Sequence, residues 1–132
     1  MFLFVFSGVV YACDDFDNSK VEINENVYFY DGKPMNGTFC WYEDESGWSG
    51  ETPLKNGLMH GEVKIEDNGI LVSTTMYQNG KQDGAENIYD HTDDNNIAWT
   101  IIYKEDKAIS GKCANGRQLT SAELNGSPDC SK

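Results

Sequence analysis

Tyr30-Asp31-Gly32-Lys33-Pro34-Met35-Asn36-Gly37, Leu54-Lys55-Asn56-Gly57-Leu58-Met59-His60-Gly61 and Tyr77-Gln78-Asn79-Gly80-Lys81-Gln82-Asp83-Gly84 are three copies of one pattern. In each, an apolar or aromatic residue leads into Asn-Gly or Asp-Gly, and a second glycine closes a short variable stretch. The second glycines stand 24 residues apart (37 to 61) and then 23 (61 to 84). Asn-Gly and Asp-Gly supply positive φ at low steric cost, which a tight reversal between antiparallel strands requires. Each copy therefore predicts a hairpin turn, at Gly32, Gly57 and Gly80, with Gly37, Gly61 and Gly84 in equivalent structural roles. A degraded fourth copy runs from Tyr103 to Gly111, with Asp106 where the turn glycine belongs and one residue inserted.

Between these turns lie short runs of β-type composition: Thr38 to Tyr42, Glu62 to Ile65, Leu71 to Tyr77, Ala85 to Tyr89 and Ile97 to Tyr103. Weaker turns at Glu45-Ser46-Gly47 and Asp67-Asn68-Gly69 fall midway, so each repeat holds about two strands. Candidate helical windows are all broken by glycine. The expectation is an all-β fold, a single-layer antiparallel meander of repeated hairpins in one continuous sheet.

The repeat resembles the MORN repeat, more closely its bacterial variant with tyrosine, Asn-Gly-Lys and a following glycine, a group often labelled an antitoxin component. The resemblance spans Tyr28 to Lys112, with Leu54 in place of the aromatic residue and Leu58 in place of the lysine. It implies an elongated sheet of successive hairpins.

Around the repeat, Met1 to Ala12 is uncharged and apolar, shorter than the 18 to 20 or so residues a membrane-spanning helix needs. With Val10 and Ala12 as small residues before Cys13, residues 1–12 read as a signal-peptide core, cleaved before Cys13. The missing basic n-region would follow from a late start codon or a fragment. The alternative is a buried strand. A small residue ahead of Cys13 also allows a lipid anchor there, although Tyr11 is bulky for a lipoprotein box. The repeat domain then occupies 13–112 and a cap 113–132.

Four cysteines in a chain that reads as exported predict disulfides. Cys113 and Cys130 flank the segment that leaves the repeat, and an array of hairpins keeps Cys40 far from both, so local pairing of Cys113 with Cys130 is expected. Cys13 and Cys40 then pair, unless Cys13 carries lipid. Within the cap, Thr120-Ser121-Ala122-Glu123 has capping-box form and predicts a helix of one or two turns. The cap would shield the last strand from pairing with other chains.

The net charge of −12, with no cluster of Lys or Arg, disfavours nucleic acid and anionic membranes as partners. No nucleophile elbow, phosphate loop or zinc-protease motif occurs, and neither a cofactor nor a metal is expected. His60 reads as a solvent-facing turn residue. The polar loop from Asp90 through His91 to Asn96 imitates a calcium loop only in part, because Asn95 replaces the glycine and Ile101 the bidentate glutamate. Most aromatic residues read as core. Trp41, Tyr42, Trp48 and Trp99 are the candidates for a binding surface, with Trp48 expected to be exposed in its Gly47-Trp48 turn. The function expected is an exported, non-enzymatic interaction or scaffolding module, secreted or held in the periplasm or cell envelope. Two alternatives are a cell-wall glycan or choline-binding module and a cytoplasmic antitoxin.

Overall fold

The computed structural model describes residues 2–6, 9–91 and 96–131. Apart from one turn of 3₁₀-helix at Asn18–Lys20 and a short helix α1 (Ser121–Leu124), the chain is a succession of antiparallel strands. They are β1 (Phe2–Phe6), β2 (Val9–Cys13), β3 (Val21–Asn24), β4 (Val27–Tyr30), β5 (Lys33–Pro34), β6 (Gly37–Tyr42) and β7 (Trp48–Lys55). β8 (Leu58–Met59), β9 (Gly61–Asp67), β10 (Ile70–Gln78), β11 (Lys81–Tyr89), β12 (Ile97–Lys104) and β13 (Lys107–Cys113) follow.

The repeat turns form where the sequence places them. Asp31 and Gly32 have φ of 50° and 77°, Asn56 and Gly57 52° and 80°, Asn79 and Gly80 51° and 83°. Two consecutive positive φ values define the reversal whose twist matches that of the flanking strands. The second glycines are equivalent too, at φ 116°, 121° and 116° for Gly37, Gly61 and Gly84. Near Gly84 the ladder slips, from Tyr77 opposite Gln82 to Thr75 opposite Glu86. The fourth turn forms without glycine, at Glu105 and Asp106, with φ of 46° and 68°. A further reversal of this kind, Glu25-Asn26, joins β3 to β4 and carries no glycine to announce it.

Successive turns are stacked by a repeated hydrogen bond. The Gly57 N–H donates to the Met35 carbonyl (2.7 Å), Gly80 to Met59 (2.8 Å) and Asp106 to Gln82 (2.9 Å). A second bond accompanies it: the N–H of Asn56 donates to Asn36 Oδ1 (2.9 Å) and that of Asn79 to His60 Nδ1 (3.3 Å). In the fourth copy the polarity reverses, and Gln82 N–H donates to Asp106 Oδ1 (2.8 Å). His60 is thus a half-buried acceptor that ties one repeat to the next, not a solvent-facing residue. His60→Ala should cost about 1 kcal/mol in a urea melt while His60→Asn, which keeps an acceptor as Asn36 does, should cost less. Equal losses would show that the bond adds nothing.

The expectation of one continuous sheet is corrected. The long sheet runs β13-β12-β11-β10-β9-β7-β6, with β8 attached to β7, whereas β3-β4-β5 form a separate three-stranded sheet and β1-β2 a hairpin. β5 stops at Pro34 because Gly57 enters the next rung. The Met35 N–H still donates to the Tyr28 carbonyl (2.9 Å), but the Met35 carbonyl accepts from the Gly57 N–H (2.7 Å) and the Tyr28 N–H donates to the Gly57 carbonyl (2.8 Å). Met35, 1% exposed, then turns inward, so β6 starts afresh at Gly37. The backbone of residues 2–6 and 9–13 makes an antiparallel hairpin pairing Phe2 with Cys13.

Register sorts the long sheet into two faces. One unbroken row of facing residues runs Trp41, Gly50, Ile65, Ser73, Ile88, Trp99, Cys113 across seven strands. One residue along lies a polar row on the opposite face: Cys40, Glu51, Lys64, Thr74, Asn87, Thr100, Lys112. Within it Asn87 donates to Thr74 Oγ1 (3.2 Å) and Thr100 to Asn87 Oδ1 (2.8 Å). Alternation along each strand separates the aromatic from the polar set.

Near β6, Met35, Phe39 and Leu54 form the buried core, with Phe16, Tyr28, Tyr30 and Trp41 packed around them. Phe16 meets Tyr30 and Phe39 edge-on at centroid distances of 5.1 and 6.5 Å. Both disulfides form as the sequence predicts, Cys13–Cys40 and Cys113–Cys130, with Cα separations of 5.6 and 5.5 Å. In this form the Cys13 sulfur is bonded to Cys40 and is not free for a thioether-linked lipid. No helix among the described residues is long and apolar enough to cross a membrane.

Candidate functional site

The C-terminal cap creates the concave feature of interest. Cys113 faces the aromatic side of the sheet through its pairing with Trp99, so its bond to Cys130 draws the chain after β13 back over that side. Leu119 and Leu124 settle on Gly111, where a Cβ would stand 2.7 Å from Leu119 Cδ1 and 3.2 Å from Leu124 Cδ2. A side chain at Gly111 would also meet the Thr100 carbonyl at 2.8 Å, so only glycine lets the cap lie this close. Gly111 thus differs from Gly37, Gly61 and Gly84, whose part is a positive φ.

The cap is braced by one partly exposed hydrogen-bond network. Thr120 and Glu123 form the capping box, with Glu123 N–H donating to Thr120 Oγ1 (3.3 Å) and Thr120 N–H to Glu123 Oε2 (2.8 Å). Arg117 donates to both oxygens of Glu123 (2.8 and 3.1 Å) and to the Asp129 carbonyl (2.7 Å). The Arg117 hydrogen bonds, then the Thr120 N–H, hold the Glu123 carboxyl down at about 2. A carboxyl with a depressed folded-state value stabilises above its ordinary value of 4.5 and loses that contribution as pH falls towards 2. The cap should therefore loosen as pH drops from 4.5 towards 2, read by the NMR resonance of the Trp99 indole N–H beneath it. Glu123→Gln should remove that step and weaken the cap at neutral pH. An unchanged acid profile in the variant would count against it.

Between cap and sheet lies a groove of about 440 Å³. Ile88, Trp99 and Ile101 form its floor, and Leu124, Asn125 and Pro128 wall one side. Glu86, Tyr103 and Asp106 add polar groups at the other. Glu86 sits on the aromatic face because its register partners are Thr75 and Ile101. Burial, the nearby Glu86 carboxylate and a hydrogen bond to it push the Tyr103 phenol above its usual range. Burial, with Glu86 and Asp106 close by, does the same to Tyr77. The Tyr103 hydroxyl thus remains protonated and donates to Glu86. No Lys or Arg lines the groove.

Of the four aromatic residues singled out from sequence, only Trp99 reaches this groove. Trp41 lies over Gly50, where a Cβ would come within 2.5 Å of its indole, and packs on the Met35 core. Tyr42 is 47% exposed at the end of β6. Trp48 is half-buried at the start of β7, because the turn closes before it: the Gly47 N–H donates to the Glu43 carbonyl (2.9 Å). The exposure expected for Trp48 is corrected accordingly. The sequence marks Tyr103 as core and Asp106 as a turn residue and assigns neither of them, nor Glu86, a part in a binding surface, although Glu86 and Ile88, like Trp99, Ile101 and Tyr103, alternate at strand spacing. In the calcium-like loop, Thr92, Asp94 and Asn95 lie outside the described residues. Among the described residues no group of three or more His, Cys, Asp or Glu could hold a metal ion. Compared with family models, curated proteins and solved structures, the chain matches none of them.

Proposed function

We propose that this chain is an exported, non-enzymatic interaction module of the MORN-variant type, which engages a protein partner through the aromatic face and the groove beneath its cap. The observation that carries this reading is the groove itself, an apolar floor bordered by two carboxylates with no basic residue lining it. Two disulfides are compatible with an oxidising compartment such as the periplasm or the extracellular space, and less so with a cytoplasmic antitoxin. A net charge of −12 favours a basic partner and keeps nucleic acid away.

Cross-linking in cells, followed by mapping of the linked residues, tests this. Links should concentrate on the cap and β12, and Trp99→Ala should abolish them while Ile23→Lys, at an exposed position on the separate small sheet, should not. Links confined to the polar face would overturn the proposal. Fractionation should place the protein outside the cytoplasm. The second reading, a cell-wall glycan or choline-binding module, draws on the same pairing of Trp99 and Tyr103 with carboxylates, which suits a quaternary ammonium. Retention on purified cell wall, lost in Trp99→Ala, would favour it.

A further inference from the structure

Resting on that reading of the groove, we infer that its ligand is a basic side chain of a polypeptide, arginine in preference to lysine. Glu86 and Asp106 both border the groove, and no ion pair to either is found among the described residues. Each carboxylate does accept one internal hydrogen bond, Glu86 from Tyr103 and Asp106 from the Gln82 N–H at 2.8 Å. Further lone pairs on each remain for a donor. A carboxylate pair next to apolar surface is stabilised by a cation that donates hydrogen bonds, which a quaternary ammonium cannot do. Trp99 and Tyr103, both lining the groove, supply the aromatic half of the fit. A guanidinium is planar, weakly hydrated and able to stack on an aromatic ring while its edge meets a carboxylate, whereas an ammonium offers a compact, strongly hydrated charge. At about 440 Å³ the groove has room for an arginine side chain and part of its backbone. Asn125 and Ser127 on the cap side can bond that backbone.

The test is a two-dimensional amide NMR titration of the full, disulfide-bonded chain with N-acetyl-arginine methylamide. Saturable shifts are expected at the Trp99 indole N–H and at the amides of Asn125 and Gly126. The citrulline analogue, planar but neutral, should bind at least about tenfold more weakly, the equivalent of one charge-assisted hydrogen bond. Lysine should fall between them. Glu86→Gln and Asp106→Asn should each weaken arginine binding, whereas Glu22→Gln on the distant β3 should not. Citrulline binding as well as arginine, choline binding more tightly than either, or shifts scattered over every acidic surface would each overturn the inference. Cross-links that map to the groove despite such a result would leave the interaction module standing and refute only its ligand.

Discussion

Gly57→Ala should destabilise the protein by about 3 kcal/mol, while Gly32→Ala, at the same position of the preceding turn, should cost about 1 kcal/mol. Both glycines have φ near 80°, so both substitutions force an L-residue into the left-handed region. That shared strain is modest, because the fourth turn places Asp106 there at φ 68°. What separates the two is space. Nothing lies within 4 Å of a Cβ at Gly32, but one at Gly57 would stand 2.7 Å from Val27 Cγ1 and 2.8 Å from the Tyr28 carbonyl. The carbonyl cannot move freely, since it accepts the Met35 N–H at 2.9 Å, and Tyr28 N–H donates to Gly57 at 2.8 Å. Gly57 is therefore where the small sheet β3-β4-β5 locks onto the long one, and a side chain there pries them apart. Urea denaturation of the two variants decides the matter. Equal midpoints would mean that the two sheets are not coupled through this turn.

The same comparison shows what the sequence disclosed. Turns with Asn-Gly or Asp-Gly were legible because their chemistry is local, and so was the capping box at Thr120 and Glu123. Glu25-Asn26 and Glu105-Asp106 make reversals of the same geometry, yet only the repeat spacing pointed to the second of them, and nothing pointed to the first. The groove was legible only in part, because it depends on register between β11 and β12. Those strands are joined through residues 90–96 instead of a two-residue turn, and the ladder shifts between Ile88 and Tyr89. No local signal fixes such a register, so Glu86 could not be placed beside Ile101 and Tyr103 in advance. The separation of β3-β4-β5 from the long sheet was likewise hidden, since it turns on a long-range contact, Gly57 bonding both Tyr28 and Met35 where β5 would otherwise continue.

Replacing both Cys113 and Cys130 by serine should release the cap while leaving the repeat sheet folded. A disulfide closing a loop of 17 residues contributes about 3 kcal/mol by limiting the unfolded chain. The cap's other anchors are local: its helix has four residues, none of them buried, and the segment is held by Leu119 and Leu124 resting on Gly111 and by Arg117 bonding Glu123. Backbone bonds to the end of β13 add to these, the Leu119 N–H to the Gly111 carbonyl (2.9 Å) and the Cys113 N–H to the Arg117 carbonyl (2.9 Å). The long sheet, in contrast, is continuous from β6 to β13 and does not need the cap to form its ladders. Loss of the bond should therefore appear as local opening. Trypsin should then cut after Arg117, whose guanidinium is otherwise engaged with Glu123 and the Asp129 carbonyl. Ile101, 4% exposed when the cap is closed, should gain exposure, and the groove should lose one wall. Removing Cys13 and Cys40 instead should leave Arg117 as resistant as in the parent, because that bond closes the opposite end of the sheet. Resistance of Arg117 in the Cys113 and Cys130 variant would show that the packing on Gly111, the Arg117–Glu123 pair and the backbone bonds to β13 together hold the cap without the disulfide. Groove binding would then be independent of the disulfide, whereas cleavage together with lost binding would make the oxidised bond a condition for having a site at all.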